Sequence, residues 1–165
     1  MSLLPTPTGA SAAVRIGLLT AAVAGVLALL AATVTSIIEI RVVTTTQVIG
    51  TDTQLSGWDR HGPALALLAA FALAMALGAA RGARPAMTAL AICGLATLAI
   101  ATLNDLPDLD RTGQVGRLYA DAQARPGPGY YLETAGGALL LLAGGSLLLL
   151  GTPGRRERVS GGYQR

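Results

Sequence analysis

Four apolar runs, each close to the length a helix needs to cross a bilayer, take up most of this chain of 165 residues. Crossing about 30 Å of hydrocarbon takes roughly 20 residues of helix, and residues 14–38, 63–80, 86–103 and 131–150 meet that requirement. Lipid offers the backbone no water to bond, so runs of this kind close their hydrogen bonds internally as helices. The expected fold class is therefore an all-α membrane protein, a four-transmembrane-helix bundle over 14–151. A tail, 1–13, precedes it, outer loops 39–62 and 104–130 interrupt it, and a basic tail, 152–165, follows. Composition agrees: 13% of residues are charged, about half the roughly 25% of ordinary soluble domains. The first run exceeds the apolar core of a cleaved signal peptide, roughly 7–15 residues, and no polar mature domain follows it, so it is read as a retained span.

Charge sets the orientation. All 12 basic residues are arginine. Arg15, Arg81, Arg84, Arg155, Arg156, Arg158 and Arg165 fall on the side that holds both termini and the short 81–85 turn, with Glu157 as their one acidic companion. The other side carries Arg41, Arg60, Arg111, Arg117 and Arg125 with the remaining eight acidic residues. Arginine close to the spans marks the cytoplasmic face. Both termini are therefore expected in the cytoplasm of a bacterial inner membrane. The basic balance serves anchoring and gives no reason to invoke nucleic acid. Cys93 is the only cysteine and His61 the only histidine. An intramolecular disulfide and a bis-histidine haem are thus excluded, and a zinc site built from several His or Cys ligands has nothing to draw on. No cofactor is implied.

Small residues supply helix packing in lipid, where no hydrophobic drive exists between helices. Gly137, Gly144 and Gly151 recur every seven residues on the last span, widened by Gly136 and Gly145. The third span offers Ala89, Cys93, Thr97 and Ala101 at every fourth position. These two stripes are expected to face each other, although the same chemistry would also make a homo-oligomer face. Glu133 stands four residues before Gly137 and so shares the glycine face. It is expected to point into the bundle near its outer end, as an anchor that snorkels or pairs with Arg41 or Arg60, and it is also the candidate functional carboxylate. Trp58, Tyr130 and Tyr131 read as interface anchors. Cys93 reads as inert packing and His61 as an exposed side chain near the surface.

The first outer loop is dense in valine, isoleucine and threonine with a break at Gly50-Thr51-Asp52, which predicts a β-hairpin of 40–49 with 53–58. The second has Val115, Leu118, Tyr119 and Ala122 at helical spacing, which predicts a short amphipathic helix capped by Asp110 or Thr112 and stopped by the prolines and glycines of 126–129. Together they would form a small extracytoplasmic cap. Asp105, Asp108 and Asp110 are weak candidates for a divalent cation, since hard cations favour clustered carboxylates. Their spacing lacks the glycine and terminal glutamate of a calcium loop, and turn formation accounts for them.

Four helices, cytoplasmic termini and a strand-forming first outer loop bearing Trp58 resemble the claudin-like layout. The W…W-C-C signature of that family is not present, so only the layout is carried over. The segments "DLPDLDRTG" and "PGPGYYLETAGGALLLLAGG" resemble small four-span membrane proteins of GC-rich actinobacteria, which implies an inner-membrane protein and no activity. No nucleophile–base set is legible, so no enzyme is expected. The expected role is an accessory or interaction subunit whose outer cap binds a protein partner, or the chain forms a homo-oligomer. The alternative is a small oligomeric transporter or channel using Glu133 and Asp105.

Overall fold

The computed structural model describes residues 8–42, 54–108 and 122–150 of the chain. Helix α1 (Thr8–Val34) has 27 residues, about 40 Å at the α-helical rise. It ends where two threonines turn back on the helix: the Thr33 hydroxyl donates to the Leu30 carbonyl at 2.6 Å and Thr35 to Ala31 at 3.0 Å. Ile37 and Ile38, stiff at χ1 and suited to a pleated surface, then continue as strand. The expected span 14–38 is corrected accordingly: its last residues belong to the sheet.

Strand β1 (Ser36–Val42) is the centre of a three-stranded antiparallel sheet, flanked by β2 (Gln54–Ser56) and β3 (Ala122–Pro126). Ser36 pairs with Ser56 but Ile38 with Leu55, so β1 carries an extra residue there. Such a bulge breaks the alternation of faces, and Ile37 and Ile38 are both buried. On the other edge Ile38, Ile40 and Val42 pair with Pro126, Ala124 and Ala122. The hairpin expected from 40–49 with 53–58 is thus shifted: pairing begins at Ser36 and ends at Ser56, and 43–53 lie outside the described residues. The amphipathic helix expected in the second outer loop is also corrected at its end, since Ala122 and the residues after it form a strand; 109–121 lie outside the described residues. The edge of β1 offers these alanines a hydrogen-bonding partner that their sequence does not advertise.

After β2 the chain makes one helical turn, α2 (Gly57–His61). Ser56 and Asp59 form a capping box, with the Ser56 hydroxyl on the Asp59 amide and the Asp59 carboxylate on the Ser56 amide. Gly57 presses against α1, and a Cβ there would collide with the backbone of Ala32. Helix α3 (Ala64–Ala80) follows, then a tight turn at Arg81-Gly82-Ala83 with Gly82 at φ 84°, a region that favours glycine. Helix α4 (Arg84–Ala99) passes into a π-helical turn (Ile100–Asp105) and a 3-10 turn (Leu106–Asp108). Helix α5 (Pro128–Leu150) starts on a proline whose missing N–H costs nothing in the first turn; of the 126–129 segment, Pro126 ends β3 and Pro128-Gly129 opens a helix.

The helices pack as a ring in which α1 meets α5, α5 meets α4, α4 meets α3 and α3 meets α1. Close approach at glycine makes this ring tight. A Cβ on Gly144 would lie 2.5 Å from the Ala91 nitrogen, and one on Gly137 would lie 3.0 Å from the Thr97 Cβ. Gly136 meets the Gly25 carbonyl of α1 in the same way, at 2.9 Å. Of the residues expected to pack, Cys93, Thr97 and Ala101 are buried and Ala89 is half-buried. Gly145 faces open space, and Gly151 lies outside the described residues.

Three segments are long and apolar enough to cross a membrane: Ala12–Val34, Arg84–Asp108 and Pro128–Leu150. The apolar helix α3 is shorter, at 17 residues. Each helix turns large aliphatic side chains outward: Leu27, Leu67, Leu95 and Leu142 are all more than half exposed. A water-soluble domain rarely shows so continuous an apolar exterior.

Candidate functional site

Among the described residues the buried charged side chains are Asp105 and Glu133, and both stand at the sheet end of the helices. Asp105 is delivered by the π turn. In an α-helix four residues overshoot one turn, so the step from Thr97 to Ala101 drifts around the helix. The wider π turn needs more than four residues, and the step from Ala101 to Asp105 undoes that drift. All three residues are fully buried in consequence.

The capped turn α2 delivers the partners. The Arg60 Nε donates to Asp105 Oδ1, and its Nη2 donates to Asp108 Oδ2 at 2.7 Å and to the Asn104 carbonyl at 2.8 Å. His61 Nε2 lies 3.1 Å from Asp105 Oδ2. Asn104 Nδ2 adds a longer bond, 3.3 Å, to Asp105 Oδ1. Asp105 thus sits between a guanidinium on one oxygen and an imidazole on the other. That imidazole is held above its ordinary pKa, first by its hydrogen bond to Asp105, with burial opposing and the charges of Asp105 and Glu133 adding. For Arg60 burial is the largest influence and acts downward, but the bonds to Asp105 and Asp108 outweigh it and the net direction is up.

Glu133 is different. It lies on the buried stripe of α5 with Gly137, Leu140 and Gly144. Its Oε2 is 3.8 Å from His61 Nε2, beyond hydrogen-bond range. Neither of its oxygens has a hydrogen-bond partner among the described residues, and the side chain is fully buried. Glu133 turns inward, as its place on the glycine face implies, and the snorkelling reading is corrected; Arg60, one of its two expected partners, is engaged by Asp105 and Asp108. Arg41's side chain lies outside the described residues. A buried carboxylate with nothing to accept from costs several kcal/mol by general estimates, which makes Glu133 the most informative side chain here.

The remaining sequence-derived positions are spread more widely. Trp58 is exposed on α2, not on a strand as expected. Tyr130 packs beside Ile37 and Ile38 and makes an edge-to-face contact with exposed Tyr131, ring centroids 5.7 Å apart. Of the aspartate candidates, Asp105 and Asp108 both meet Arg60, and Asp110 lies outside the described residues. The reading of His61 as exposed is corrected: only 8% of its side chain is accessible. One sequence signal for this existed, since Ser56 and Asp59 announce a capped turn that places residues 60 and 61 together. Nothing in the sequence says which helix end that turn meets.

Compared with protein-family models, curated proteins and solved structures, the chain has no significant match.

Proposed function

We propose that this is a non-enzymatic accessory subunit of a bacterial inner membrane, crossing the bilayer four times with both termini cytoplasmic, whose work is done by the outer end. The carrying observation is the segregation of its buried polar chemistry. Asp105, Glu133, Arg60 and His61 gather at the sheet end, while below them the helices close on backbone contact at Gly94, Gly137 and Gly144. The other buried polar side chains among the described residues, Thr33 and Thr97, spend their hydroxyls on their own helices.

The fourth crossing is supported by α3's position. It begins beside the sheet at His61 and ends where Arg15 donates to the carbonyls of Ala79 and Ala80, so it runs between the same two ends as its neighbours. Its 17 residues sit at the lower limit of a spanning helix, about 17–25. The arginine split, seven on the side of both termini and the 81–85 turn against five on the other, supports the orientation.

A partner on the outer cap is the function this arrangement serves best, the sheet being packed against the end of α5 through Ile37, Ile38 and Tyr130. Leu55, exposed on β2, is the natural reporter. Crosslinking from Leu55→Cys in native membranes is expected to trap a heavier adduct; recovery of monomer alone would contradict the reading. The transporter alternative has one observation in its favour, the meeting of Glu133 and Asp105. The closed packing beneath them weighs against a path through one chain. Proteoliposome flux that disappears with Glu133→Gln would favour transport over the accessory role.

A further inference from the structure

We propose that His61, Asp105 and Glu133 bind one divalent transition-metal ion, with zinc and manganese the best matches to one imidazole and two carboxylates. The three donors come from α2, the end of α4 and α5, and one ligand atom from each lies within 4.8 Å of the others. Zinc bonds of about 2.0–2.2 Å in a tetrahedron place donors about 3.3–3.6 Å apart. The His61 Nε2 distances, 3.1 Å to Asp105 Oδ2 and 3.8 Å to Glu133 Oε2, bracket that range.

Proximity of acids is not sufficient, and two further observations point to a ligand. Glu133 is wholly buried, faces the other two donors and lacks any hydrogen-bond partner among the described residues. A cation between the three groups would satisfy it. Electrostatics points the same way. Asp105 and Glu133 are both buried carboxylates beside one imidazole, and the Arg60 guanidinium is engaged by Asp105 and Asp108. A divalent ion between the two carboxylates would offset their repulsion.

The surroundings suit a ligand set. Arg60 and Asn104 hold Oδ1 of Asp105 and leave Oδ2 turned toward His61, as outer partners orient metal-binding carboxylates. The imidazole donor selects zinc, manganese or iron over magnesium and calcium, which take oxygen ligands. With ligands from three separate segments, the ion would fasten the capped turn and the ends of two helices together. This goes beyond the accessory reading and stands or falls independently of any partner.

The test uses the untagged full chain in detergent, stripped with EDTA, passed over a desalting column and then offered Zn²⁺ or Mn²⁺ alone. The expected result is about one equivalent of metal retained per chain and a higher Tm, with Mg²⁺ and Ca²⁺ giving neither. Glu133→Gln and His61→Ala should each lower affinity at least tenfold, while Glu39→Gln, away from the cluster, keeps wild-type affinity. Should either cluster variant fail to fold, the zinc absorption edge of the loaded wild type decides. A shell of nitrogen and oxygen donors with one imidazole and no sulfur supports the site. Retention of no metal by the wild type, unchanged affinity in a folded Glu133→Gln, or a sulfur donor would each overturn it.

Discussion

With its guanidinium on Asp105, Asp108 and the Asn104 carbonyl, Arg60 brings a permanent positive charge to a buried acidic cluster. Removing it strips the guanidinium from Asp105, which has no access to solvent and is left with His61 and Asn104 among the described residues; breaking one side of a buried pair costs about 3–5 kcal/mol. Arg60→Met, which keeps most of the aliphatic stem, is therefore expected to lower thermal stability in detergent strongly. Arg125→Met, on exposed Arg125, should change stability by about 0.5 kcal/mol or less. Equal effects of the two would contradict the assignment. Glu133 predicts the opposite sign. In the metal-free chain Glu133→Gln removes a buried carboxylate that has no hydrogen-bond partner among the described residues, so stability should hold or rise. A loss above about 1 kcal/mol in that state would mean that the Glu133 carboxylate accepts a stabilising hydrogen bond.

Between the elements, close contact at glycine decides what the helices tolerate. A Cβ on Gly144 meets the backbone of Ala91 and Met87 at 2.5 and 2.8 Å, while one on adjacent Gly145 meets nothing within 4 Å. Gly144→Ala must push α4 and α5 apart and is expected to cost about 1–3 kcal/mol. Gly145→Ala should be neutral or gain a few tenths to about 1 kcal/mol from helix propensity. Thermal unfolding of the pair checks this directly, and an equal response would show that the glycine stripe is not in contact. The stripe itself was legible in the sequence because small residues at a fixed spacing are a local pattern. The same holds for the apolar runs and for strand formation in the first outer loop. Strand β3 was not legible: Ala122, Gln123, Ala124, Arg125 and Pro126 include no β-branched residue, and their pairing comes from the edge of β1. The cluster was legible only in part. Glu133 stood out as a lone carboxylate and Asp105 as one of three aspartates, but His61 joins them through the way α2 settles on the end of α4. The π turn that aims Asp105 inward leaves no mark in residue type.

At the scale of the molecule, the proposed fourth crossing by α3 would set the sheet and the charge cluster on one side of the membrane and the arginine turn on the other. A reporter that is active only in the cytoplasm, fused after Arg165, should therefore be active. The more direct measurement compares the two ends of α3 itself. Trp58 lies exposed just before this helix and Arg81 lies exposed just after it, and Cys93, the only native thiol, is buried. Trp58→Cys and Arg81→Cys, made singly, would be treated in intact cells with a maleimide that cannot cross the membrane. Labelling of the first and protection of the second until the cells are opened is the predicted result. Labelling of both from outside, or of Arg81→Cys alone, would contradict it.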